Sequence, residues 1–285
     1  MTAAAVTTTT GGGRPARQRR AARPGALTRG SSLGLGVAML WFSLLVLIPL
    51  SAVVVKAFGG GWETFAHTLT NGQTLHALKL TVGTSLLVTV VNMVMGTVIA
   101  WVLVRDRFWG KRVLDVVIDI PFALPTIVAG LVLLSLYGAQ SPVGVNVANT
   151  QKAVYLALAF VTLPFVVRTV QPVLEEMDRD VEEAAASLGA SRFTTVRRVV
   201  LPTLVPAIFA GAALSFARGI SEYGSLVLLS GNLPNRTEVV SVRVLTYLEG
   251  GNTASAAAVA TVMLVVALLA ILALDLIQRK VARRG

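Results

Sequence analysis

Six apolar stretches, each near the length needed to cross a bilayer, alternate with short charged segments along this chain. Residues 31–55, 80–104 and 250–274 hold no charged side chain over 25 positions apiece. A helix needs about 20 apolar residues to cross hydrocarbon. With no water there to bond the backbone, only helices and closed barrels can span. The pattern therefore predicts an all-α integral membrane protein with six transmembrane helices. The run 120–137 is 18 residues long and is expected to begin nearer Val113. The run 153–167 has only 15 residues, so its helix should continue past Arg168 to about Val173. The fifth run, 204–230, is interrupted by Arg218 and Glu222. A composition 54% hydrophobic and 14% charged fits the same class.

The net charge of +11 could suggest a nucleic-acid partner, but its placement argues against one. The segments 1–30, 105–112, 172–202 and 278–285 together carry 18 Lys and Arg, and the alternate side carries 5: Lys56, Lys79, Lys152, Arg236 and Arg243. Such asymmetry sets orientation in the membrane, so both termini and the segment 172–202 are expected in the cytoplasm. Residues 1–30 hold six arginines and no acid or aromatic, which predicts a disordered basic cytoplasmic tail able to rest on anionic lipid. The expected organisation is that tail, a first span with its outer loop over 31–74, a transmembrane core over 75–277, and a short cytoplasmic tail over 278–285.

The chain has no cysteine, hence no disulfide framework and no thiolate chemistry. Its two histidines, His67 and His76, lie nine apart in the first outer loop without acids placed to share a metal. No glycine-rich loop ending in Gly-Lys-Ser/Thr occurs, so ATP binding by a P-loop is not expected. No nucleophile and base pair up, so no metal, cofactor or enzymatic activity is expected.

The most informative polar island is residues 180–202, reading DVEEAAASLGASRFTTVRRVVLP. Asp180 and Glu183 have the spacing of a capping box, and the Glu-Ala-Ala-Ala-Ser-Leu run favours helix. Gly189 is placed to end that helix with a positive φ. Ser191 can cap a second, basic piece ending before Pro202. Helix, glycine turn and helix outside the bilayer form a surface for docking a protein rather than for chemistry.

Prolines and small residues shape the spans. Pro121, Pro125 and Pro164 are candidate kinks, and a straight helix through Pro121 and Pro125 is not expected. In the fifth run Ala207, Gly211, Ser215 and Gly219 recur every four residues, a stripe that lets helices approach closely. Arg218 and Glu222, also four apart, must face protein or water rather than lipid. With Ser215, Ser221 and Ser225 nearby, they are candidates either for the transport pathway or a subunit interface, or for a structural pair locking two helices.

Glu183, Ala184, Ala185 and Gly189, followed by Val199, Leu201 and Pro202, resemble the EAA loop of ATP-binding-cassette (ABC) importer permeases of the type I fold, with Val199 where Ile is usual. The resemblance widens to sulfate/thiosulfate permeases of that family. It includes Arg105–Arg107 with Phe108 and Gly110, the run Asp119-Ile-Pro-Phe-Ala-Leu-Pro-Thr-Ile-Val-Ala-Gly130, and the run from Pro164 to Glu176. Ser215-Phe-Ala-Arg218, Glu222-Tyr-Gly224 and Leu248-Glu249 extend it, and it covers most of the chain from about Leu33 to Ile277. It implies a permease importing sulfate, and thiosulfate import is implied by the same likeness. The implied partners are two copies of a cytoplasmic ABC ATPase, a second permease subunit (CysW-like), an extracytoplasmic sulfate/thiosulfate-binding protein, and membrane lipid. The loop around Glu183 and Gly189 would dock on the ATPase, which alone would hydrolyse ATP.

Molybdate and tungstate permeases share much of this pattern, so the anion stays open between them. An ion-coupled secondary transporter normally carries titratable groups in several spans. Here Glu222 is nearly alone, and Asp275 lies close to an inner end.

Overall fold

The computed structural model describes residues 29–282. The basic tail expected over 1–30 thus lies almost wholly outside the described residues, as do positions 283–285. The described residues fall into two compact units, 29–50 and 51–282. All regular structure among them is helical, and five helices are long and apolar enough to span, or six when one sharply bent pair is counted as a span.

The first unit is most of α1 (Ser31–Ala57). Its Leu33, Met39, Leu40 and Trp41 are exposed, which suits a helix bathed in lipid. A π-turn at Ser43–Leu47 closes with the Ile48 N–H on the Ser43 carbonyl. Pro49 follows two residues later. A proline ring crowds the carbonyl four residues back, and here that carbonyl belongs to Leu45 in the widened turn.

The second unit takes in the end of α1 and then α2 (Gly61–Thr70), a short amphipathic helix. Phe58, Trp62 and Phe65 stack there with ring centroids 4.7–6.2 Å apart. α3 (Gly72–Arg105) is the longest rod, capped by the Asn71 side chain, which accepts from the N–H groups of Gln73 and Thr74. Its buried face is a stripe of small and hydroxyl residues: Thr81, Thr84, Ser85, Thr89, Asn92 and Gly96. Such a face suits close helix contact in lipid, where packing and hydrogen bonds replace the hydrophobic drive.

Where the third span was expected lie α4 (Lys111–Ala123) and α5 (Thr126–Tyr137), a pair bent by 119° at Leu124-Pro125. The expected break at this proline pair is there: Pro125 begins the second half, and Pro121 lies within the first. Pro164 interrupts nothing in the hydrogen-bonded helix around it. α6 (Gln151–Glu176) is unbroken through Pro164 and Pro172, and it does continue past Arg168 to reach spanning length.

α7 (Arg179–Ser187) and α8 (Arg192–Ile220) follow, then α9 (Gly224–Leu229), α10 (Val240–Glu249) and α11 (Thr253–Ala282). α3, α6 and α8 form the centre. Val166 of α6 is wedged between two glycines: a Cβ on Gly96 would come within 2.8 Å of the Val166 Cβ, and one on Gly211 within 2.8 Å of its Cα. Gly219 likewise meets Ser85 across α3 and α8. The four-residue stripe on α8 therefore does what its spacing suggests, spreading its small residues over two neighbours.

Candidate functional site

The polar island folds as helix, turn and helix, with three differences from its sequence reading. Asp178, not Asp180, is the N-cap, its carboxylate accepting from the Asp180 N–H at 3.0 Å. Asp180 and Glu182 then fall in the first turn, where acids favour the helix dipole. Asp178-x-x-Val181 offers no capping box, so Glu183 is free of that role. The second piece, capped as expected by Ser191 accepting from the Thr194 N–H, does not stop before Pro202. It runs on into the fifth span through a π-turn at Val196–Val200, closed by the Leu201 N–H on the Val196 carbonyl. The wider turn holds Arg198, whose carbonyl the Pro202 ring would otherwise crowd. Leu201 and Pro202 thus belong to a continuous rod joining the loop to the membrane.

Gly189 has φ +83°, and its N–H bonds the Ala186 carbonyl while the Ala190 N–H reaches back to Ala185. This is the left-handed stop that glycine adopts without strain. Nothing lies within 4 Å of where a Gly189 Cβ would be, so the turn is open. Apolar side chains stand out from it: Leu188 is 89% exposed and Phe193 72%. Glu183 and Ala184 are exposed and Ala185 half-buried. Two large apolar side chains thus stand open in an otherwise polar segment.

The adjacent glutamates point to different jobs. Glu182 Oε1 lies 2.5 Å from Arg105 Nη2 at the end of α3. Glu183 has no ion-pair partner among the described residues, and neither do Arg197 and Arg198. Trp101, Arg105, Glu182, Glu183, Arg192 and Thr195 border a cleft of about 370 Å³ between α3 and the loop. The Arg105–Glu182 tie escaped the sequence reading because its partners are 77 residues apart.

Within the membrane region, Arg218 and Glu222 are paired at 2.7 Å, but not on one helix as their spacing suggested. α8 ends at Ile220, and the expected fifth run to Ser230 is a helix, a break at Ser221–Tyr223 and the short α9. The fully buried Glu222 makes the break. Its Oε1 accepts from both the N–H and the Oγ–H of Ser225, each at 2.9 Å, so the side chain offers the backbone an alternative to continued helix. The Glu222 carbonyl also accepts from Ser241 Oγ of α10 at 2.7 Å. Gly224 permits the contact beyond: a Cβ there would be 2.2 Å from Thr126 Oγ1 at the start of α5. Glu222 thus gathers α8, α9 and α10 beside the bend of the third span.

The remaining candidates separate. Ser225 belongs to the Glu222 cluster, and Ser221 is exposed, donating to the Arg218 carbonyl at 3.0 Å. Ser215 is buried two turns earlier on α8, its hydroxyl without a partner. Thr84, Ser85 and Thr89 of α3 are buried and unpartnered too.

Arg168 is not a free cation for an anion. Its guanidinium forks onto Asp119 with two bonds of 2.7 Å, and also meets Asp115 Oδ1 at 2.7 Å and Gln171 Oε1 at 2.6 Å. Asp115 and Asp119 are four apart on α4, so one helical face holds both acids against α6.

A family model, the binding-protein-dependent transport system inner membrane component, matches residues 92–284. The sulfate transport system permease protein CysT of Salmonella typhimurium is 40% identical over 262 residues, covering 90% of this chain and 95% of that one. The protein of the same name from Synechocystis is 41% identical over 250 residues, covering 85% and 87%. Among solved structures, a bacterial ABC transporter that imports the acidic polysaccharide alginate aligns with TM-score 0.72 at 17% identity, over 87% of this chain and 94% of that one. The inward-facing MetNI methionine ABC transporter aligns with TM-score 0.58 at 19% identity, over 73% and 95%.

Proposed function

Because the chain belongs to the family of binding-protein-dependent transport system inner membrane components, we propose that it is the sulfate-translocating permease subunit of an ABC importer, driven through the α7–Gly189–α8 loop by a separate ATPase. The observation that carries the coupling role is the exposure of Leu188 and Phe193 on a capped turn that continues directly into a membrane rod. A docking surface in series with a span is what a lever requires. The chain is a multi-pass membrane protein and a transport subunit, not an enzyme.

The partners proposed are two copies of the cytoplasmic ATPase, a second permease of the CysW kind, and an extracytoplasmic binding protein for sulfate or thiosulfate. Both termini and the loop lie in the cytoplasm, consistent with 18 Lys and Arg on that side against 5 on the other. Nucleotide-driven closure of the ATPases would rock α6 and α8 between two packed arrangements, since packed cores switch rather than bend continuously.

Sulfate carries two negative charges, and unaided passage through hydrocarbon is prohibitive. A pathway must still release what it binds. Arg168 is neutralised by two aspartates and Arg218 by Glu222, so neither of these two cations is left uncompensated to trap the anion.

The test is uptake of radiolabelled sulfate into proteoliposomes holding the four-part complex. Uptake requiring both internal ATP and the loaded binding protein is expected, with competition by thiosulfate. Competition by molybdate in place of thiosulfate would move the substrate to the other oxyanion class. Uptake without ATP would reject the importer reading.

A further inference from the structure

We infer that Arg105 is a positioning residue for coupling, tying the central rod α3 to the docking loop so that the loop moves three spans instead of two. The inference rests on the coupling role proposed for the loop and extends it to a helix the loop does not touch covalently.

The chain connects α7 only to α6 and α8. α3 ends at Arg105, far from the loop in sequence, and its guanidinium reaches across the cleft. Nη2 lies 2.5 Å from Glu182 Oε1 and 3.5 Å from the Met177 carbonyl, which immediately precedes the α7 cap. The Arg105 side chain is 10% exposed and that of Glu182 24%. Water screens such a pair far less than a surface bridge, whose median worth is small. The contact falls in the first turn of α7, where a shift of the helix pulls directly on the carboxylate.

α3 also has an outer end through which such a pull can arrive. Gln73 Nε2 donates to Glu238 Oε2 at 2.7 Å, and Thr81 Oγ1 accepts from the Val240 N–H at 2.9 Å. Glu238 in turn faces Arg243 of α10 at 3.8 Å. One continuous helix therefore connects the docking loop with Glu238 and the start of α10. Along the way its Ser85 meets Gly219 of α8, and Thr84 and Thr89 on the same helix are buried, small and hydroxylic.

The glutamate doublet then divides its labour. Glu183, exposed and unpartnered, is free for the docked protein, while Glu182 faces inward and transmits.

The experiment uses the complete complex in proteoliposomes and reads sulfate taken up per ATP hydrolysed. Glu182→Gln and Arg105→Gln should assemble and hydrolyse ATP, with uptake per ATP lowered about tenfold, as coupling positions commonly show. The exchange of both, Arg105→Glu with Glu182→Arg, should recover most of that loss, and Arg105→Lys part of it. An unchanged ratio in Glu182→Gln would overturn the inference. So would an equal fall in hydrolysis and uptake, which marks a pair that only holds the complex together. If a neutral variant fails to assemble, an exchanged variant that assembles yet does not recover the ratio overturns it as well. A wild-type complex without ATP-driven sulfate uptake would instead reject the proposed function.

Discussion

Glu222 and Arg218 form an ion pair at 2.7 Å across the end of a helix, with the carboxylate fully buried and the guanidinium partly open. The pair is not a stripe on one rod. It closes a break in the fifth span beside the bend in the third, and Glu222 supplies the bonds that make the break.

Truncating one member should therefore cost far more than replacing both. Glu222→Ala leaves Arg218 uncompensated and α9 without its cap, and a loss of about 3–5 kcal/mol is expected for breaking a buried pair on one side. The double change Arg218→Met with Glu222→Gln should recover most of the thermal midpoint in detergent. Equal destabilisation by single and double changes would show that the two do not act as a pair. Arg218→Ala in an assembled complex separates structure from transport: wild-type uptake there would remove Arg218 from the pathway.

The clamp on Arg168 has a spare acid. Asp119→Asn leaves Asp115 in place to neutralise the guanidinium, so this variant should still fold. Replacing both by Asn leaves a cation inside the span and should prevent accumulation of folded protein. Folded yield by size-exclusion chromatography checks both, and a folded double variant would contradict the clamp.

Two glycines should fail in different ways. Gly189→Val has open space but an unfavourable φ of +83°, a local strain of about 1–3 kcal/mol. It should insert and assemble yet lose uptake, and Gly189→Asn, able to adopt that backbone, should retain it. Gly224→Val would drive its side chain into Thr126 and should not fold. Normal uptake by Gly189→Val would remove the turn from the transmission path.

Most of the architecture was legible in the sequence because hydrocarbon imposes it. Run length placed the spans, Pro121 and Pro125 announced the bend, and Gly189 and Ser191 marked the turn. What escaped depended on contacts between distant positions or on competition for the same backbone. Asp178 took the cap that Asp180 seemed suited to. Helical spacing alone put Arg218 and Glu222 on one rod, whereas Ser225 diverts the carboxylate and ends the helix. Pro202 looked like a terminator, but a π-turn carries the chain past it. Arg168, which the sequence showed only as a charge that the fourth helix must run past, is neutralised by acids some 50 positions away.

The central claim is that the α7–Gly189–α8 loop is a cytoplasmic lever, and its side of the membrane is the most direct test. The chain has no cysteine, so Ala186→Cys introduces a single thiol at an exposed position on α7. In intact cells a membrane-impermeant maleimide should leave it unlabelled, and labelling should appear only after permeabilisation. Labelling from outside intact cells would put the lever on the wrong face and contradict the coupling mechanism.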